Sequence, residues 1–181
     1  ILGTELVASN VRLIEIAPEG GAMGHAPGAH IDVTVMIEGR PDTRSYTLVG
    51  PARPGGTYRI AVKMLDESRG GSRYMHALKR GANLSVSQPK NDFELDYAAP
   101  KYLLIAGGIG ITPIYSMALA LAEKQADFRL LYAGHSAGEL PFVEELKDRL
   151  GSRLELFVPD AGRRLAIARA IEKPADSHPL S

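Results

Sequence analysis

Tyr102-Leu103-Leu104-Ile105-Ala106-Gly107-Gly108-Ile109-Gly110-Ile111-Thr112-Pro113 decides the fold of this chain. Its first five residues form a continuous apolar run, the length of one strand in a sheet covered on both faces. After the glycines, Ile114, Met117, Ala118 and Leu121 recur at i, i+3, i+4 and i+7, so they line one face of a helix. Glycines between a strand and a helix let the backbone approach a ligand closely. Pro113 suits the first helical turn, where a missing N–H costs nothing. The loop therefore aims backbone N–H groups and the positive end of a helix dipole at the space above the strand ends. In an open α/β sheet that crevice is the expected ligand site. The spacing is not the dinucleotide fingerprint G-x-G-x-x-G, because Pro113 holds the last position. No acidic residue closes the next strand, which runs into Ala133-Gly134-His135-Ser136. By spacing alone the loop is either a tight structural turn or a ligand loop.

Downstream the strand–helix rhythm continues. Phe128–Ala133 reads as a strand, Phe142, Leu146 and Leu150 mark a helical face, Arg153–Val158 reads as a third strand and Leu165–Ile171 as a helix. That alternation predicts a parallel sheet with right-handed crossovers. Upstream the pattern has period two. Val11–Ile16, Ile31–Ile37, Tyr58–Lys63 and Asn83–Ser87 alternate, and Pro- and Gly-rich turns separate them. Such punctuation predicts an antiparallel barrel or sandwich, with one short helix over Ser72–Lys79 ended by Gly81. The change of pattern near Asp96–Lys101 divides the chain into a β unit over residues 1–97 and an α/β unit over residues 98–181.

The totals narrow the function classes. In 181 residues, Lys+Arg and Asp+Glu are both 21, so there is no electrostatic reason to expect nucleic-acid or membrane-surface binding. The absence of Cys excludes disulfides, thiolate catalysis, Cys-ligated zinc and iron–sulfur clusters within this chain, and fits a cytoplasmic protein. No apolar run reaches the length of a transmembrane helix. Ile1 without a basic leader does not read as a signal peptide, and is the expected start of a chain whose first natural residues precede it. His25, His30, His76 and His178 lack metal-ligand spacing, so no metal site is expected. Gly134-His135-Ser136 is not a nucleophile elbow.

Five motifs occur in one order: Pro27-Gly28-Ala29-His30, Arg44-Ser45-Tyr46-Thr47, Gly70-Gly71-Ser72 after Ile60-Ala61-Val62-Lys63, Pro89-Lys90-Asn91-Asp92-Phe93, and Gly107–Pro113. Together they resemble the ferredoxin–NADP reductase superfamily, most closely its phthalate dioxygenase reductase group. The resemblance implies a six-stranded Greek-key β-barrel that binds flavin, followed by a parallel α/β unit that binds nicotinamide dinucleotide. It implies that Arg44 pairs with the flavin phosphate, as a guanidinium fork suits that group. Tyr46 would pack on the isoalloxazine ring and Thr47 would hydrogen-bond near flavin N5, with Thr47 and Thr112 the residues beside the reacting atoms. Ser45, Ala61, Val62, Lys63, Gly70, Gly71 and Ser72 would complete the flavin site. Gly108, Gly110, Thr112 and Pro113 would meet the nicotinamide half of the second cofactor, and His135 and Ser136 its adenine ribose. Arg44 and Tyr46 have a plain alternative as barrel-face residues, and Thr112 as a helix N-cap.

FMN is expected rather than FAD, since the adenosine-binding insert is missing. NADH is expected rather than NADPH, since the 134–138 loop carries no Arg for a 2′-phosphate. The implied activity is hydride transfer from NADH to FMN and electron delivery through a [2Fe–2S] centre to a Rieske-type oxygenase component. A flavin reductase, an FAD-containing ferredoxin reductase and a non-catalytic flavin- or nucleotide-binding subunit remain alternatives. The Cys-Gly-Pro motif and the four-Cys cluster domain of that group do not occur in these residues, so a C-terminally truncated chain is expected.

Overall fold

The computed structural model describes residues 1–51, 54–67 and 69–159. The elements are β1 (Gly3–Ala8), β2 (Val11–Ile16), β3 (His30–Ile37), β4 (Arg40–Thr47), β5 (Tyr58–Lys63) and α1 (Gly71–Ala77), then β6 (Tyr102–Gly107), α2 (Ile111–Glu123), β7 (Phe128–Ala133), α3 (Val143–Leu150) and β8 (Leu154–Phe157). The helix expected at Leu165–Ile171 lies outside the described residues.

The first five strands are antiparallel. β1, β2 and β5 form one sheet and β3 and β4 a hairpin, joined by a bridge between Leu48 and Ile60. The alternation read in β3 is real: Ile31, Val33 and Val35 are fully buried while the residues between them are not. A two-residue turn, Glu38-Gly39, closes the hairpin with both φ values positive (50° and 77°). That is the mirror-image turn whose twist matches antiparallel strands, and Gly39 accepts it without strain.

Two sequence expectations need correction here. Asn83–Ser87 is not a ladder strand. It touches β3 through a bridge at Val33–Val86, with a second at His30–Lys90. The Ser87 hydroxyl takes the Asp32 N–H at 2.9 Å, so a side chain stands where a strand would offer a carbonyl, and the ladder breaks. Among the described residues the β unit therefore has five ladder strands and an irregular sixth segment. β1 was not foreseen, because its six residues are all half-buried or exposed, as on an edge strand.

The second unit is parallel, in the order β6-β7-β8. α2 covers Leu104 and Ala106 of β6, which are buried. Leu103 and Ile105 on the other face remain 43% and 47% exposed. The expectation that β6 is covered on both faces does not hold among the described residues, because the helices α2 and α3 pack together against the Leu104 and Ala106 face. No described helix is long and apolar enough to cross a membrane.

The two units share a seam. One buried cluster lies inside the β unit around Ile14, Ile31, Ile60 and Met75. The other unites Val11, Val49 and Ala61 of the β unit with α2, β6 and β7. Ser116 of α2 donates to Leu48 O at 3.2 Å and accepts from Gly50 N at 3.0 Å, both buried. Gly28 has φ 91°, and a Cβ there would collide with Phe93 O and Met117 Cε, so only glycine fits where the β unit, the linker and α2 meet.

Candidate functional site: a recess on the seam

β4 alternates so that Asp42, Arg44 and Tyr46 share the less exposed side. Arg44 Nη1 pairs with Asp42 at 2.8 Å and donates to Thr43 O at 2.7 Å. The Thr43 N–H and then the Arg44 guanidinium hold the Asp42 carboxyl below the usual carboxylate range. The arginine lies against the start of α1: a Cβ on Gly71 would sit 3.0 Å from Arg44 Nε, so the absence of a side chain there makes room for the guanidinium. Gly70 opens the helix with φ 101°. Ser72 Oγ takes the Leu65 N–H at 3.2 Å and so ties the exit of β5 to α1. Tyr46 is half-buried against the barrel core, and burial raises its hydroxyl pKa.

Across the seam, residues 108–110 make one tight turn with Gly108 at φ 51°, and α2 begins at Ile111. Thr112 is not the N-cap. It lies in the first turn, and its hydroxyl donates back to Ile109 O at 3.2 Å. Pro113 also falls in that first turn, where N–H groups have no intrahelical partner. The buried Tyr132 of β7 points its hydroxyl between Gly108 O (3.3 Å) and Pro141 O (3.2 Å), which pins the loop from behind.

These two sides face one recess of about 470 Å³, within the range of small-molecule sites. The structure brings together in its wall the predicted Arg44, Ser45, Tyr46 and Thr47 from β4, and Ala61, Val62 and Lys63 from β5. Gly71 and Ser72 of α1 and Gly110, Thr112 and Pro113 of the loop complete the predicted set. Leu65, Arg69 and Ile109 also line it and were not singled out from the sequence. The wall combines apolar surface from Ala61, Val62, Leu65, Ile109 and Pro113 with the cations Arg44, Lys63 and Arg69. That donor set suits a planar aromatic ring carrying a phosphate. The predicted Gly70 and Gly108 do not line it; each is a positive-φ residue next to a lining one.

A second recess of about 440 Å³ shares Ser45, Thr47 and Pro113 with the first. Gly28, His30, Asp92 and Phe93 complete it, so the Pro27–His30 and Pro89–Phe93 motifs converge there. His30 Nε2 lies 4.0 Å from Asp92. Asp32 of β3 accepts from Ser45 Oγ of β4 and from Lys90 Nζ, both at 2.6 Å, so it joins the Pro89–Phe93 segment to the strand that carries the predicted motif.

His135 and Ser136 do not line the recess. They follow β7, where a 3₁₀ turn at Ala137–Glu139 turns back toward the β unit. Ser136 Oγ donates to Glu139 Oε1 at 3.3 Å, Glu139 Oε2 lies 3.7 Å from Lys63 Nζ, and Ser9 N donates to Gly138 O at 2.8 Å. Sequence reading missed Glu139. Its signal was an acidic residue six positions past β7 instead of at the strand end. Among the described residues no group of three or more His, Cys, Asp or Glu side chains could hold a metal ion.

An antiparallel β unit with a cationic, aromatic recess, closed by the glycine loop of a parallel α/β unit, defines a module of the ferredoxin-reductase-like fold. The chain belongs to the oxidoreductase FAD-binding domain family, whose profile matches residues 2–95. It is 39% identical over 150 residues to the heme-dependent oxidative N-demethylase beta subunit of Ectopseudomonas mendocina (strain ymp), covering 82% of this chain and 47% of that protein. It is 36% identical over 167 residues to the toluene-4-sulfonate monooxygenase system reductase subunit TsaB1 of Comamonas testosteroni, covering 88% and 51%. In structure it matches phthalate dioxygenase reductase, described as a modular structure for electron transfer from pyridine nucleotides to [2Fe–2S], with a TM-score of 0.84 and 31% identity over 97% of this chain and 56% of that one. The chain thus spans about half the length of the curated relatives it matches. The ferredoxin-reductase-like resemblance read from the motifs is the family and fold found.

Proposed function

We propose that this chain is the flavin- and nicotinamide-binding part of an oxygenase-system reductase, with residues 1–97 holding FMN and residues 98–181 receiving NADH. The observation that carries the reading is the recess walled by Arg44–Thr47 on one side and by Ile109, Gly110, Thr112 and Pro113 on the other. Two ligands that must exchange a hydride need such a shared wall. The flavin, when bound, supplies the chemistry: it accepts two electrons at once and gives them up singly.

The chain's own residues hold and orient. In this reading Arg44 and Lys63 take the phosphate and Tyr46 the ring face. The Thr47 hydroxyl stands at the junction of the two recesses, beside the expected reacting edge. Thr112 and Pro113 offer the nucleotide a fixed edge, because the Thr112 bond to Ile109 O and the Tyr132 bonds hold the loop still. No acid–base side chain is needed, since proximity and orientation are what the site contributes.

NADH over NADPH is supported by the 134–138 loop, which carries no Arg, and by the Glu139 carboxylate on Ser136. A carboxylate at a ribose accepts hydroxyls and repels a 2′-phosphate. With no Cys in these residues, the [2Fe–2S] relay belongs to another segment or a partner, and a Rieske-type oxygenase is the final acceptor in this reading. A flavin absorption spectrum bleached anaerobically by NADH is the expected result. A colourless protein that takes up no added FMN would sink the proposal. Arg44→Lys should weaken FMN binding about tenfold in a fluorescence titration, because an ammonium cannot reproduce the fork worth roughly 1.5–3 kcal/mol.

A further inference from the structure

We propose that Glu139 couples the two cofactor sites, acting as a shared partner that each ligand takes from the other. The inference rests on the function proposed above. Glu139 has contacts on both sides of the seam. Its Oε2 lies 3.7 Å from Lys63, which lines the recess assigned to flavin, and its Oε1 accepts from Ser136, in the loop assigned to the ribose. Both members of the ion pair are sheltered, with side-chain exposures of 26% and 32%. The turn that carries Glu139 is fixed to the β unit by the Ser9–Gly138 backbone bond, so the carboxylate starts within reach of Lys63.

The sign of the coupling follows from counting broken pairs. A flavin phosphate that recruits Lys63 must break its pair with Glu139. Ribose hydroxyls that recruit Glu139 must break the same pair. With both ligands bound the pair is broken once, so the cost falls on whichever ligand arrives first and the second binds more tightly. Thermodynamic reciprocity makes the factor equal in both directions. For a partly exposed ion pair the factor should be about twofold to fivefold.

The test uses the whole chain, with FMN as one probe and NAD⁺ as the other. FMN affinity is measured by fluorescence titration with and without saturating NAD⁺, in the native chain, Glu139→Gln, Lys63→Met and the double variant. The native chain should bind FMN about threefold more tightly when NAD⁺ is present. Glu139→Gln should bind FMN about threefold more tightly without NAD⁺ and lose the further gain. In the Lys63→Met background the Glu139→Gln gain should vanish, which a general loss of negative charge near the phosphate would not produce. If Glu139→Gln leaves FMN affinity unchanged, or its gain survives in Lys63→Met, the coupling is overturned while the flavin reading stands. If the native chain takes up no FMN, the proposed function falls and the coupling with it.

Discussion

The two buried clusters are built differently. The cluster around Ile14, Ile31, Ile60 and Met75 draws only on the first unit, whereas the cluster under α2 recruits Val11, Val49 and Ala61 from across the seam. The β unit thus owns its core, and the α/β unit completes its core with surface lent by its neighbour. The difference teaches where a two-part recess gets its rigidity: one half buries a core of its own, and the other buries part of its core only through docking.

Paired core truncations test this most strongly. Ile31→Ala and Leu130→Ala each remove a fully buried side chain and should each cost about 2–5 kcal/mol in denaturant unfolding. Their hydrogen-exchange patterns should differ. Ile31→Ala should speed exchange in β3 and β4 and, through the seam, in β6 and β7, while Leu130→Ala should leave β3 and β4 protected. Equal effects on both halves from Leu130→Ala would break the asymmetry.

Next in size is Ser116→Ala, which strands the buried Gly50 N–H and Leu48 carbonyl and should cost about 1–3 kcal/mol. Calorimetry should then resolve a separate, earlier transition for the α/β unit. A single sharpened or unchanged transition would mean that the apolar seam alone docks it.

The smallest effect belongs to Asp32. Its bonds from Lys90 and Ser45 hold its carboxyl below the ordinary carboxylate range, and the Asp32 bond holds the Lys90 ammonium above its own. Asp32 therefore adds stability above its unfolded pKa that fades as pH falls through the lower folded value. Lys90 adds stability below its unfolded pKa that fades as pH rises through the higher folded value. Asp32→Asn should lower stability slightly at neutral pH, since the pair is solvent-screened, and leave the acid and alkaline ends unchanged, so that the profile flattens. A steeper acid slope in Asp32→Asn would show that the pair strains the linker rather than securing it.

The same asymmetry governs what could be read from the sequence. β3 was legible because Ile31, Val33 and Val35 obey period two, and α2 because Ile114, Met117, Ala118 and Leu121 obey the helical period. Twelve of the predicted recess residues meet in one wall, because motif order is preserved when strands pair locally. β1 was invisible because an edge strand needs no apolar face. Asn83–Ser87 misled because alternation cannot show that the Ser87 hydroxyl will take a ladder donor. The exposed Leu103 and Ile105 misled because an apolar run records what a strand can cover, not its place in the sheet. Glu139 was missed because its meaning lies in Lys63, 76 residues away in sequence and on the other unit.

The glycine-only junction at Gly28 and the Ser116 bonds have a kinetic meaning for the reaction proposed here. A hinged pair of domains must lose relative freedom each time two ligands are brought face to face, and that loss enters the activation barrier of every turnover. Here the seam is already buried when the chain folds, so the entropy of alignment is surrendered once per molecule. In the proposed cycle, closure of one half on the other is then not a step that each turnover has to repeat.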